Sequence, residues 1–107
     1  MSQDPTIQLI STALDAALMR QTAIASNIAN ANTKGYKTLE VNFEEQLNST
    51  NSLAFIKPYY LESENQSPID EQIAMSVKNA TQYRSLIKGL NHKLAIMKIA
   101  IQGNNQS

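Results

Sequence analysis

Apolar positions repeat with the period of a helix at both ends of this chain and lose that period in the middle. Ile7, Ile10, Leu14, Ala17, Ile24, Ile28 and Ala31 follow alternating steps of three and four, with Gln21 the polar member of the series. That is a heptad a/d seam over more than three heptads, the pattern of a helix packed along a narrow stripe against another helix. Asp4-Pro5 supplies a start, with Asp as the cap and Pro at the first helical position. The predicted helix, residues 5–32, would be roughly 40 Å long at 1.5 Å per residue.

The end of that helix is unusually polar. Residues 26–36 read SNIANANTKGY, and Asn is a mediocre helix former. Asn32 and Gly35 suit the turn conformations that stop a helix, and Tyr36 can fold back onto it. Capping leaves Asn27 and Asn30 unused. Both lie beside the seam, where their amides can bond the backbone of the following turn or a neighbouring chain.

Residues 33–66 change character. Leu39, Val41 and Phe43 alternate with period two and predict an extended segment. A polar Asn/Ser/Thr stretch follows and reads as a flexible loop, with a short strand around Leu53–Ile56 or Tyr59–Leu61. Ser67-Pro68-Ile69-Asp70-Glu71 then restarts a helix, with Ser67 as the cap, Pro68 at the first position and acids in the first turn. Its seam runs Ile69, Ile73, Ala80, Tyr83, Ile87, Leu90, Leu94, Met97 and Ile101, and Val77 covers for polar Ser76. The predicted span is 67–102. Gly89 inside it costs about 1 kcal/mol relative to Ala.

The expected fold is therefore mainly α: one elongated unit, residues 1–107, with two long terminal helices bearing coiled-coil-type seams and a short irregular or extended middle. An antiparallel hairpin would bury the seams against each other. So small a core is marginal alone, so the seams suit neighbours as well as each other.

Composition narrows the function classes. The chain has 107 residues, no Cys and no Trp, which excludes a disulfide scaffold, a cysteine nucleophile and cysteine zinc sites. Net charge is zero, which argues against a nucleic-acid binder. The charge is unevenly spread. Residues 38–71 hold seven acids against Lys57, whereas residues 72–107 hold Lys78, Arg84, Lys88, Lys93 and Lys98 and no acid. Such asymmetry can guide assembly, and lysines late in a helix also complement its dipole. No apolar run approaches the roughly 20 residues of a membrane span, and the N-terminus lacks the basic and continuous apolar regions of a cleaved signal. The first helix has only Arg20 as a cation and many alanines, and the second has the cations but only a coiled-coil-width apolar stripe, so membrane insertion is not expected.

No catalytic set emerges. His92 sits off the seam, between Lys88 and Ile96 at helical spacing, and is expected to face solvent. Glu44-Glu45 and Asp70-Glu71 are neighbours that do not face each other on a helix, and the three glycines are isolated. Neither an enzyme nor a cofactor is expected.

The segment RQTAIASNIANANTKGYKTLEVNFEEQL resembles the N-terminal signature of the flagellar axial proteins of the rod and hook. Asn27, Ile28, Ala29, Asn30, Asn32, Thr33, Gly35 and Tyr36 carry the likeness. The immediate extended segment, the short middle and the C-terminal helix, with central Tyr83 and terminal Ala100-Ile101, resemble a proximal-rod member. Lys34 stands where that family commonly has Pro, and the middle is shorter than usual. The resemblance implies a structural subunit that leaves the cell through the flagellar type III export apparatus without signal cleavage. It would polymerise in the periplasm into a helical rod that carries torque and passes export substrates. Implied partners are further copies, a FlgC-like rod subunit and a FliE-like adaptor. The competing reading from the helices alone is an export chaperone or adaptor.

Overall fold

The computed structural model describes residues 4–49 and 56–106. Helix α1 spans Pro5–Ala29, strand β1 Thr38–Asn42, helix α2 Glu44–Ser49, strand β2 Tyr59–Ser63 and helix α3 Ile69–Gln106. The chain is mainly α and elongated, 66 × 26 × 16 Å, with two long helices and a short middle, as expected.

The start of α1 follows its sequence signals. The Asp4 carboxylate accepts from the Thr6 and Ile7 amides at 2.8 and 3.1 Å, and Pro5 lacks the amide hydrogen that would otherwise go unbonded. The helix ends at Ala29, earlier than the expected residue 32. Asn30 is the reason: its side-chain amide takes the Ser26 carbonyl at 2.9 Å, and its own carbonyl turns to the Thr33 amide at 3.0 Å. Ala31 therefore falls in the turn, exposed and off the seam. Among the described residues, only Gly35 has a positive φ, 81°, where a glycine carries no steric penalty. Asn32 does not adopt that conformation.

Helix α3 begins one residue later than the Ser67 cap predicts. The Pro68 carbonyl accepts from the Gln72 amide at 3.0 Å, which puts Pro68 itself at the cap position. Ser67 is then one residue too far back, and its buried hydroxyl has no hydrogen-bond partner. The helix also runs past the expected residue 102, to Gln106.

The two long helices form an antiparallel hairpin. The cross-links along it are Asp4–Lys93 at 3.7 Å, Asn79 Nδ2 to the Ala17 carbonyl at 2.8 Å, Gln21 Nε2 to Ser76 Oγ at 2.8 Å and Asn27 Nδ2 to Gln72 Oε1 at 3.1 Å. Their order fixes both direction and register.

The middle segment covers a different face of α1. Strands β1 and β2 pair antiparallel, from Thr38 opposite Ser63 to Asn42 opposite Tyr59. Of the two expected positions for a second strand, Tyr59–Leu61 is the one occupied. Leu53–Phe55 lie outside the described residues, while Ile56 is buried in the core without strand structure. The stretch after Phe43, read as a loop, contains α2. Gln46 holds α2 to the returning chain: it donates to the Lys57 carbonyl at 2.7 Å and accepts from the Lys57 amide at 3.3 Å.

The core is small. Ala16, Ala23, Val41, Phe43 and Ile56 form it, with Leu9, Ala13, Met19, Leu39 and Leu47 packed around them. Helix α1 thus carries a second apolar stripe, missed in the sequence because alanines dominate it. Those alanines let the strand and helix backbones come close. Removing the largest buried ring should be costly: Phe43→Ala is expected to lower stability by about 3 kcal/mol. The half-exposed Leu18, changed to Ala, should shift it by no more than about 0.5 kcal/mol. Urea unfolding followed by circular dichroism distinguishes the two.

Candidate assembly interface

The polar joint after α1 is built around one side chain. Asn27 is buried on the last full turn, facing both β1 and α3. Its Oδ1 accepts from the Leu39 amide at 2.8 Å and from the Tyr36 hydroxyl at 2.9 Å. Its Nδ2 donates to the Leu39 carbonyl at 3.0 Å and to Gln72 Oε1 at 3.1 Å. The amide therefore pairs with both backbone groups of Leu39, as a neighbouring strand would, and reaches α3 with its second hydrogen. All four of its hydrogen-bonding opportunities are used within one chain.

Tyr36 folds back as its position suggested. Its hydroxyl lies 2.8 Å from Ser26 Oγ as well as on Asn27. Gly35 makes the bend that allows this, and the Tyr36 amide bonds the Thr33 carbonyl at 3.2 Å. Asn30 caps the helix and accepts from Thr33 Oγ1 at 3.1 Å. Ile28 is half-buried, Ala29 and Asn32 are exposed, and Thr33 and Gly35 form the outer turn. The signature residues thus divide between an internal lock (Asn27, Tyr36) and a cap and turn (Asn30, Thr33, Gly35).

The helix seams divide as well. On α1, Ala17 and Ile24 are buried and Ile7, Ile10, Leu14 and Ile28 half-buried. On α3, Gln72 and Asn79 are buried, and Ser76, Tyr83, Leu86, Leu90, Lys93 and Met97 are half-buried. These positions form a heptad series of their own. It shares residues 76, 83, 90 and 97 with the expected seam and replaces Ile73, Ala80, Ile87 and Leu94 by their predecessors. The expected α3 seam is corrected accordingly: Ile73, Ala80, Leu94 and Ile101 are exposed, and Ile87 is half-buried.

The physical reason is hydrogen bonding. Gln72, Ser76 and Asn79 match Asn27, Gln21 and the Ala17 carbonyl across the hairpin, so polar side chains that find partners face inward. Period-counting of apolar residues passes over such positions. The steps of four and three from Gln72 through Ser76 and Asn79 to Tyr83 were the available signal.

Ion pairs add little to this frame. Arg20–Glu44 at 2.8 Å bridges α1 and α2, while Lys37–Glu64 at 3.3 Å is largely solvated. The backbone amide of Ile7 chiefly holds the Asp4 carboxyl below its ordinary value; desolvation opposes it, and the Thr6 amide and Lys93 add to the lowering. His92 is exposed, as expected. Among the described residues, no group of three or more His, Cys, Asp or Glu could hold a metal, and no helix is long and apolar enough to cross a membrane. The joint ties together α1, β1 and α3 of one chain.

Residues 7–37 match the family described as flagella basal body rod protein. They span α1 and the whole Asn27–Tyr36 joint. Among individual proteins, the chain is 26% identical over 121 aligned residues to the flagellar basal body rod protein FlgB of Bacillus subtilis (strain 168), covering 92% of this chain and 94% of that one. It is 47% identical over 38 residues to the FlgB of Buchnera aphidicola subsp. Acyrthosiphon pisum (strain APS), covering 36% and 29% of the two chains. The resemblance read from the signature is borne out, and these likenesses support a structural flagellar rod subunit located in the basal body. They also imply assembly with other rod components.

Two predictions follow from the joint. Asn27→Ala leaves the Leu39 amide and carbonyl and Gln72 Oε1 without their Asn27 partner. It should cost about 2 kcal/mol and remove hydrogen-exchange protection at the Leu39 amide. Asn30→Ala, losing one cap contact, should cost about 1 kcal/mol or less. The reverse order would contradict the assignment of the joint to Asn27.

At the other end of α1, the depressed Asp4 carboxyl stabilises the fold above its unfolded value of 3.8, and that contribution is lost as pH falls through the lower folded value. A carbon-13 titration of Asp4 should therefore show a midpoint below 3.8, moving upward in Lys93→Ala.

Proposed function

We propose that this chain is a proximal-rod subunit of the bacterial flagellum. It is exported by the flagellar type III apparatus and polymerises through its terminal helices into a helical tube across the periplasm. The tube carries torque and passes later export substrates. Its neighbours are further copies, a FlgC-like rod subunit and a FliE-like adaptor.

One observation carries this reading beyond the family likeness. Helix α3 turns its polar stripe toward α1 and leaves Ile69, Ile73, Val77, Leu94 and Ile101 in solvent. A helix that spends its amides on the internal contact and keeps its larger aliphatics outside is arranged for external partners. An enzyme or a self-sufficient monomer would bury the aliphatic face first. Contacts between unlike faces of successive subunits whose rotation does not close into a ring build a helical tube.

The fold also suits export. The core is small, so the chain has little to unfold before passage and gains stability from neighbours on arrival. In a strain lacking this gene, basal rings should form without a rod and cells should be non-motile, as seen by electron microscopy of isolated basal bodies. Normal rods and motile cells would overturn the proposal. Asn27→Ala should reduce rod assembly more than secretion of the subunit into the periplasm, because the joint matters only once the chain refolds.

A further inference from the structure

The far end of α3 is the most exposed apolar feature of the molecule. The hairpin stops at the Asp4–Lys93 pair, yet α3 continues through Gln106. That overhang is about 20 Å long at 1.5 Å per residue. Within it Leu94–Ile101 reads LAIMKIAI, with Lys98 its single charge. Leu94, Ile96, Ile99 and Ile101 are 39, 49, 68 and 49% exposed and point in different directions around the helix. A helix apolar on nearly every side is one meant to be enclosed.

A matching receptacle lies elsewhere on the same chain. Two adjoining open hollows, both lined by Arg20, Glu44 and Gln82, form a groove between α3 and the β1–α2 segment, from Met75 to Leu86 on the α3 side. Its length is about 16 Å, three turns of helix. Val41 and Leu47 line the facing wall, and Ala17 and Ala23 of α1 form a floor low enough for another helix to approach. Glu40 and Glu45 line the β1–α2 side and make no ion pair among the described residues, Lys78 lines the α3 side, and Glu44 is held by Arg20.

The geometry points to a second copy as the occupant: the overhang around Leu94–Ile101 of one chain lies in the groove of the next, with Lys98 beside Glu40 and Glu45. Length, apolar character and charge all match. The overhang belongs to a stretch, residues 72–107, with five cations and no acid, and the β1–α2 side belongs to a stretch with seven acids and one lysine. Groove and overhang are centred about 18 residues apart on α3, so each contact displaces the next copy by about 27 Å along the axis. The contact joins unlike surfaces, and with the helices of successive copies running parallel it propagates. This inference deepens the rod-subunit reading and rests on it for its biological setting, but not for its geometry.

The cysteine-free chain makes the test direct. Lys98→Cys and Glu45→Cys proteins, mixed at millimolar concentration under mild oxidation, should give a disulfide-linked heterodimer. Lys98→Cys mixed with Glu62→Cys, on the outer strand away from the groove, should not. Ile99→Glu should weaken self-association in sedimentation at least about tenfold with an unchanged helical spectrum, since this side chain supports nothing within its own chain. Equal cross-linking at Glu62, no dimer at millimolar concentration, or unaltered association of Ile99→Glu would each overturn the contact. The same cysteine pairs in isolated basal bodies separate this from the rod reading. A chain required for the rod whose Lys98→Cys links only to a different protein defeats the contact and leaves the rod role standing. A groove contact in a chain that cells do not need for rods does the opposite.

Discussion

The carboxamide of Asn27 is the interaction on which the rest of the structure depends. It stands in for a strand at Leu39, anchors Tyr36 and meets Gln72 of α3, so three elements distant in sequence converge on one side chain. An amide is suited to this because it offers two donor hydrogens and one acceptor oxygen with two lone pairs in a rigid plane. Aspartate would lose both donors, and an aliphatic residue would strand the strand backbone in a buried setting. The direction in which β1 leaves the turn, and the register of the hairpin at that end, both follow from satisfying this group.

The same polar logic decides which face of α3 is left for others. Facing helices usually hide their aliphatics, and a hairpin that did so here would bury Ile73, Ala80, Ile87 and Leu94. Instead Gln72, Ser76 and Asn79 pair with α1, and Ile73, Ala80 and Leu94 stay outside. The internal contact is thereby specific without being greasy. Buried polar groups fix one register because every other register leaves them unpaired. The driving force that the hairpin forgoes remains available to neighbouring subunits.

This division fits so small a core to the structural rod role that its relatives suggest. A domain of this size buries a modest share of its surface, and here α1 is the shared element between a sparse alanine-lined core and the hairpin. Stability supplied by binding partners rises with their concentration. Likeness to rod proteins along most of the chain, and the family match over the joint, agree with a fold that completes itself in an assembly.

The two long helices, their approximate ends, the extended segment at Leu39–Phe43 and the flagellar signature were legible in the sequence. They depend on local periodicity and on cap and turn residues whose preferences act over a few positions. The oddity of the asparagines was visible too, but not their partners. Leu39 and Gln72 lie 12 and 45 residues from Asn27, and no local rule brings them together. The second apolar stripe of α1 was hidden because alanine signals burial weakly, and α2 because its six residues sit in a polar stretch. The α3 register was misread because counting apolar positions ignores polar residues that find buried partners. By itself the sequence determined the two long helices, the first extended segment and the likeness to rod proteins. Only the tertiary structure decided which stripe of α3 faces inward, because that choice turns on hydrogen bonds between residues far apart in the chain.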